Sequence, residues 1–481
     1  MCNCNSAPAA EPILLCAGGN SVYQIVIADD ATVYEKKAAK LLQLHLLKLA
    51  DAYLPIVGES APARDCELVV GCTGRSAACG LTVEPATCAG DLISNVDSYR
   101  ILAVGERIFF LCMGDPANRP QNRGTVFAAY RFIEKIFGFD PVYDRACNDY
   151  KDMTLDRVTV PRDLDIEASS RTLSGRFVRD YPGETVMYML PQADMSTTSG
   201  ESVILKTAGG KILVIDGGYK GELENITEAL RVLMPGQTPT VDAWLITHLH
   251  EDHFDALMHY VDCVNGGQDV GGLAVKEIWG HIMSDAWYER SGLGQYVERA
   301  NRLKNPPAPT KYVELNTADR IRFDDAEIDV LFTCPEEMKV NMNNSSVVVK
   351  VTARGKSILL LADMEWAAEA EMKRSITPDR LKADAVQIGH HGTFNVSKAT
   401  YREIGADVYF WPITYKMWYC DDGTGMAAIN KRYGTFDEMS STRRMLISLG
   451  VPPEKIFISY RGISVYHFGT GEAEFISRPG N

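Results

Sequence analysis

A chain of 481 residues is too long for one ordinary hydrophobic core and points to two or three domains. Its 46% hydrophobic and 23% charged content is that of a soluble globular protein with a formal charge of −14: residues 1–170 carry 16 basic and 22 acidic side chains, the remainder 33 and 41. Neither part is a basic nucleic-acid platform by bulk charge, and no apolar stretch reaches the ~18–20 residues a membrane helix needs.

Residues 1–20 read as a flexible, small and polar lead-in, with Cys2-Asn3-Cys4 an untethered terminus. Ile13-Leu14-Leu15-Cys16 is too short for the core of a signal peptide. The 12 cysteines form no C-x-x-C pair, so they read as thiols of a reduced, cytoplasmic protein rather than a disulfide framework. A strand is predicted at Tyr23–Ala28, then a helix over 31–52 with Ala38, Leu41, Leu42, Leu46 and Leu49 on one stripe. Strands follow at Glu67–Gly71, Tyr99–Val104 and Arg107–Cys112, the last two joined by the turn Gly105-Glu106, and a helix runs from Gly124 to Phe137 and stops at Gly138. This order describes a small α+β domain over 21–150. Residues 151–180 read as a connector with a short strand at Val158–Val160.

Over 181–481, strands and helices alternate in the pattern of a layered α/β/β/α sandwich. Strands at Thr185–Leu190, Ser202–Thr207 and Lys211–Asp216 lead into Gly217-Gly218, a helix over 222–233 and the apolar run Ala243-Trp244-Leu245-Ile246. That run delivers Thr247-His248-Leu249-His250-Glu251-Asp252-His253. The chain holds only 9 histidines, three of them here and two more at His390 and His391, so chance clustering is a poor explanation. Extended backbone puts His248 and His250 on one side to grip one cation, while Asp252 and His253, one turn on, face a neighbouring site. Imidazole and carboxylate together suit one or two zinc ions, with manganese and iron the alternatives.

Three further strand ends carry chemistry. Asp216 is placed to orient a ligating imidazole through its second ring nitrogen. Asp363, at the tip of Ser357–Asp363, is placed to bridge two cations. Asp384–Gly389 ends in His390 and His391; His390, standing first off the strand, is the expected ligand, with His391 its rival and the other ring left to serve the leaving group. Trp411, Tyr415, Trp418 and Tyr419 are candidates for a substrate wall, although a packed loop is the simpler reading, as solvated surface is for Lys416, Lys431 and Arg432.

Taken together, Asp216, the His-x-His-x-Asp-His run, Leu-Ala-Asp363 and Gly-His-His-Gly resemble the metallo-β-lactamase superfamily over residues 184–470. Within it, Asn343-Asn344-Ser345-Ser346 ahead of the Asp363 strand, the Gly-His-His-Gly turn and Asn430–Gly434 resemble the hydrolase domain of competence (ComEC-like) proteins. That family's Val-Gly-Gln-Gly-Asp loop is present here only as Pro191-Gln192-Ala193-Asp194, widened by Met195–Glu201, and Thr435 stands where its His is common. No His precedes Asp363, where many members place a third ligand; the resemblance puts Asn343 or Asn344 there, and His281 is the spare imidazole. His250 stands where the di-iron electron-transfer members carry Glu, which favours hydrolysis.

The resemblance implies a metal-dependent hydrolase in which cations lower the pKa of bound water toward neutrality and hydroxide attacks phosphorus or a carbonyl carbon. Asp252 and Asp363 would hold the metals, with His390 or His391 nearest the leaving group. A phosphodiester is the expected substrate. The acidic charge disfavours a long nucleic acid and suits a small or sugar-linked phosphate. Lactone or thioester hydrolysis is the first alternative and a non-catalytic carbohydrate- or protein-binding scaffold the second. Residues 22–145 resemble the small accessory domain of α-glucuronidases and hexosaminidases, a slight carbohydrate hint; no glycosidase barrel follows.

Overall fold

The computed structural model describes residues 11–81, 98–113, 119–120, 122–138, 155–168, 172–193, 199–393, 396–414, 417–418 and 442–477. Cys2, Cys4, Asp194–Thr198, Tyr415, Lys416, Tyr419, Asn430–Gly434 and Thr435 lie outside them. The chain divides into two compact units, residues 1–171 with 480–481, and 172–479.

In the first unit, β1 (Ile13–Ala17) pairs with β7 (Arg157–Val160). A six-stranded sheet has the order β3-β2-β4-β6-β5-β8, from β2 (Gln24–Ile27), β3 (Ile56–Gly58), β4 (Glu67–Val70), β5 (Tyr99–Val104), β6 (Arg107–Cys112) and β8 (Asp165–Ala168). Helix α1 (Val33–Ala50) opens with a capping box in which Thr32 and Glu35 each bond the other's backbone N–H. It packs against α2 (Gly124–Phe137), which is closed by Gly138 at φ +63°. The lead-in expected over residues 1–20 thus contains a strand. Ile13, Leu15 and Cys16 are buried while Leu14 is exposed, and the run was too short to read as a strand until its distant partner was placed. The stretch expected as a connector likewise contributes β7 and β8 to this unit.

The second unit is built on two facing sheets. The first has eight strands in the order β14-β13-β12-β11-β10-β9-β22-β23. These are β9 (Val186–Met189), β10 (Val203–Lys206), β11 (Ile212–Ile215), β12 (Thr240–Ile246), β13 (Ala274–Gly280), β14 (Lys311–Glu314), β22 (Gly462–His467) and β23 (Glu472–Ser477). The second runs in unbroken sequence order from β15 (Arg320–Phe323) through β16 (Ala326–Phe332), β17 (Val348–Ala353), β18 (Lys356–Leu360), β19 (Ala385–Gln387) and β20 (Val408–Trp411) to β21 (Ile456–Ile458).

Inward residues of both sheets, among them Met189, Leu213, Leu245, Val330, Val349, Leu360 and Phe410, form one core. The alternate residue Trp244 faces helices instead: a Cβ on Gly217 would lie 3.0 Å from both the Trp244 ring and Ala256, and 3.5 Å from Ile226. Burial on both faces explains the unbroken apolar run of β12, which lies parallel between β11 and β13. Strands β18, β19 and β20 are also parallel, joined by crossovers that carry α3 (Trp366–Ser375) and α4 (Lys398–Ile404). Among the described residues no helix is long and apolar enough to cross a membrane.

Candidate metal centre

Loops at the carboxyl ends of parallel strands collect ligands in open α/β sheets, and four such ends converge here. Asp216 follows β11, Thr247–His253 follows β12, Asp363 follows β18, and His390 with His391 follows β19. Three of these ends turn on left-handed backbone at residues other than glycine: Asp216 at φ +53°, Ala362 at +48°, and His390 and His391 at +47° and +50°. Such conformations cost about 1 kcal/mol or more each and persist where the surroundings impose them. After His391, Gly392 sits at φ +81°, and a Cβ there would lie 2.4 Å from the Trp411 ring.

Asp216 is wholly buried and organises the β12 end. Its Oδ1 accepts from Thr247 N–H (2.8 Å); its Oδ2 accepts from Thr247 Oγ1–H (2.7 Å) and His253 Nδ1–H (2.7 Å). With the Thr247 proton committed to Asp216, Thr247 Oγ1 can only accept from His248 Nδ1–H, at 3.1 Å. One carboxylate therefore sets the tautomer of two imidazoles, His253 directly and His248 through Thr247, leaving both Nε2 atoms with lone pairs. His391 is fixed in the same sense by Pro412 O, which takes Nδ1–H at 2.7 Å, while Trp411 Nε1–H donates to His391 O.

These lone pairs face one another. His253 Nε2 lies 3.2 Å from His391 Nε2, and His248 Nε2 lies 3.2 Å from His250 Nδ1. Asp363 joins both pairs: its Oδ2 is 3.3 Å from His253 Nε2 and 3.9 Å from His248 Nε2, and its Oδ1 is 3.5 Å from His391 Nε2. Asp252 Oδ2 lies 3.2 Å from His391 Nε2 and 3.9 Å from His253 Nε2. Two groups with metal-ligand spacing share Asp363: His248–His250–Asp363 and Asp252–His253–Asp363–His391. Asp363 Oδ1 is buried and accepts no hydrogen bond among the described residues, and opposed imidazole lone pairs need positive charge between them. The donor set fits cations in both groups.

The titration behaviour shows the same demand for positive charge. Burial alone would lower His253 and His391, but Asp363 and its neighbouring carboxylates outweigh it, holding His253 well above its ordinary value and pushing His391 up to about 10. Asp363 is held well below the usual carboxylate range against its burial, by His391, His253 and His390. Burial and the neighbouring His253 keep His248 well below its ordinary value.

The first histidine off β19 was expected as the ligand; the geometry brings His391 into the four-donor group instead. The two left-handed residues turn His390 aside, so that its Nδ1 lies 3.3 Å from Glu365 Oε1 and its Nε2 3.2 Å from Asn343 Nδ2 and 3.6 Å from Asp363 Oδ2. Of the two asparagines, Asn344 is committed elsewhere, its Nδ2 to Asn341 and Glu365 and its Oδ1 to Ala368 N–H. Asn343 donates to Glu365 at 2.9 Å, and its Oδ1 is buried without a hydrogen bond among the described residues. His281 lies apart, with its ring against Leu315 O, Cys334 O and Glu314. Trp411 and Trp418 are core, packed edge to face at 5.2 Å, rather than a substrate wall.

Several functional neighbours escaped the sequence reading. Glu365 accepts from Asn341, Asn343 and Asn344 and stands beside His390; burial opposes its ionisation, but His390 first, then Asn343 and Asn341, carry its carboxyl down to about 2. Ser346 Oγ accepts from Asp363 N–H at 3.3 Å. Glu201 is buried within metal-ligand spacing of Asp216 and His253, and burial, reinforced by Asp216, pushes it up to about 8. Ser199 donates to Asp252 Oδ2. Only the two-residue spacing of Glu365 from Asp363 could have pointed to any of them.

Residues 197–411 match the metallo-beta-lactamase superfamily. No curated protein matches the chain. Similar solved structures include the metallo-beta-lactamase fold protein YhfI from Bacillus subtilis, at 16% identity and TM-score 0.32, covering 47% of this chain and 85% of that one. Zn(2+)-bound PqqB from Methylobacterium extorquens is 16% identical over 39% of this chain and 56% of that one, with TM-score 0.25. CmlA, a diiron beta-hydroxylase from Streptomyces venezuelae, is 14% identical over 60% of this chain and 55% of that one, with TM-score 0.33. The chain thus spans little more than half the length of the latter two.

Proposed function

We propose that this chain, which carries a metallo-beta-lactamase superfamily domain at residues 197–411, is a metal-dependent hydrolase acting on a phosphodiester or related phosphate ester. The observation that carries the reading is the position of Asp363, shared by two adjacent donor groups whose imidazole lone pairs oppose one another. His248, His250 and Asp363 would hold one cation; Asp252, His253, Asp363 and His391 would hold the second. Nitrogen and oxygen donors of this kind suit zinc, with manganese or iron as alternatives. Bound cations would lower the pKa of water toward neutrality and offset negative charge that develops at the reacting centre.

The chain's own residues supply orientation and proton handling. Asp216 takes the Nδ1 proton of His253 directly and that of His248 through Thr247, so that Nε2 is the atom each ring would turn to a cation. Glu365, acting only as an acceptor, keeps the proton of His390 on Nδ1, so that Nε2 is the atom placed to exchange a proton at the leaving group. The likeness of Asn343–Ser346 and Gly389–Gly392 to competence-type domains supports phosphodiester chemistry. The acidic composition supports a small ester, including a sugar-linked phosphate, over a long nucleic acid. The slight carbohydrate likeness of the first unit is compatible with that choice.

A substrate panel tests the substrate class. Protein loaded with zinc or manganese is expected to turn over bis-p-nitrophenyl phosphate and to leave a γ-lactone and p-nitrophenyl acetate untouched. Lactone or ester hydrolysis without phosphodiester turnover would move the chain to carboxyl-ester chemistry.

A further inference from the structure

Each donor of the four-member group has a partner that fixes it. His253 has Asp216, His391 has Pro412 O, and Asp363 has Ser346 at its backbone N–H. Asp252 stands on the first turn of the helix Glu251–Asn265, behind an N-cap, His250, whose side chain makes no capping bond. A carboxylate there can swing into solvent unless something beyond the helix holds it.

That hold comes from Ser199–Glu201. Ser199 Oγ–H donates to Asp252 Oδ2, the oxygen that faces His391 and His253, and Glu201 N–H donates to Asp252 O at 3.2 Å. Between them Gly200 is at φ +148°, where a Cβ would lie 2.3 Å from Gln192 Oε1. Only glycine fits there, and it lets its two neighbours grip one residue at both carboxylate and carbonyl. A hydroxyl donates one proton to one lone pair, so Oδ2 keeps the capacity to ligate while losing its freedom to rotate.

We infer that Ser199 is a positioning residue that holds Asp252 toward the second cation. The inference rests on the reading of Asp252–His253–Asp363–His391 as a cation site. Removal of a hydrogen-bond partner of this kind weakens metal affinity by ~10–100-fold.

Cobalt(II) titration of metal-free full-length protein, followed by visible absorption and calorimetry, tests it without reliance on turnover. Wild type is expected to take two equivalents. Ser199→Ala is expected to keep the first at wild-type affinity and to bind the second ~10–100-fold more weakly, with the same far-UV circular dichroism and urea midpoint. Ser199→Thr, which retains the hydroxyl, is expected to restore the second. Wild-type affinity for both equivalents in Ser199→Ala would overturn the inference, as would equal loss in the alanine and threonine variants, which would trace the effect to the loop's packing. A wild type that binds fewer than two equivalents would overturn the two-cation reading and this inference together.

Discussion

Replacing Asp216 with asparagine changes no volume and removes one buried charge, which makes it the sharpest perturbation of the centre. The carboxylate accepts three hydrogen bonds within 2.8 Å. The amide retains one oxygen, and if that oxygen keeps the bond to Thr247 N–H, its NH2 confronts Thr247 Oγ1–H and His253 Nδ1–H. Two charge-assisted bonds worth ~1.5–3 kcal/mol each are then lost, so metal-free protein should unfold with about 3–6 kcal/mol less stability. The tautomers reverse as well. His253 relieves the clash by moving its proton to Nε2, the atom aimed at His391 and Asp363, and His248 loses its tether through Thr247. Cation affinity should fall ~10–100-fold, equivalent to about 1.4–2.7 kcal/mol. Urea unfolding of the metal-free protein measures the first effect and equilibrium dialysis against zinc the second. An Asp216→Asn variant within about 0.5 kcal/mol of wild type that binds zinc with unchanged affinity would refute the reasoning.

The two histidines of the β19 turn should separate by role. His391→Ala is expected to lose one of two cations in elemental analysis. His390→Ala should retain both and lose ~100–10,000-fold in turnover as a proton-exchanging group is removed; loss of a cation in His390→Ala with retention in His391→Ala would reverse the assignment. The pH dependence of the metal-free protein follows chiefly from three raised groups, which His248 and His250, both lowered by burial, offset only in part. His253, His391 at about 10 and Glu201 at about 8 bind more protons folded than unfolded near neutrality. The histidine contribution is complete below the unfolded value of about 6.5 and is lost as pH rises through the folded values, while the buried Glu201 costs stability as it ionises. Asp252 and Asp363, both lowered, contribute fully throughout that range. The urea midpoint should therefore fall from pH 6.5 to 8.5, and zinc binding at pH 7 should release protons, read by calorimetry in buffers of different ionisation enthalpy. A midpoint that rises over this range would contradict the charge balance.

Much of the centre was legible because its donors sit at strand ends, where a buried apolar run stops abruptly at a charged or ligating residue. Strand β12 ahead of His248, and the strands ahead of Asp216 and Asp363, all show that signature. Choosing His391 over His390 depends on two consecutive left-handed residues, a conformation that no side-chain pattern announces. Trp411 looked like a candidate substrate wall because aromatic residues cluster around it. Its ring instead packs on Gly392, and its Nε1–H holds the His391 carbonyl. The partners Ser199 and Glu201 reach their targets across long loops, so spacing along the chain carries no trace of them. Strand β1 was missed for the same reason, since its pairing with β7 joins segments on either side of five of the six strands of the larger sheet.

The central claim, a two-cation hydrolase, is tested most directly by elemental analysis of protein purified without added metal, paired with bis-p-nitrophenyl phosphate turnover. Wild type would be compared with the double variant Asp252→Ala, His253→Ala. About two metals per chain in wild type, and turnover that vanishes with the second cation in the variant, is the expected result. No metal and no turnover, even after zinc or manganese is restored, would contradict the account.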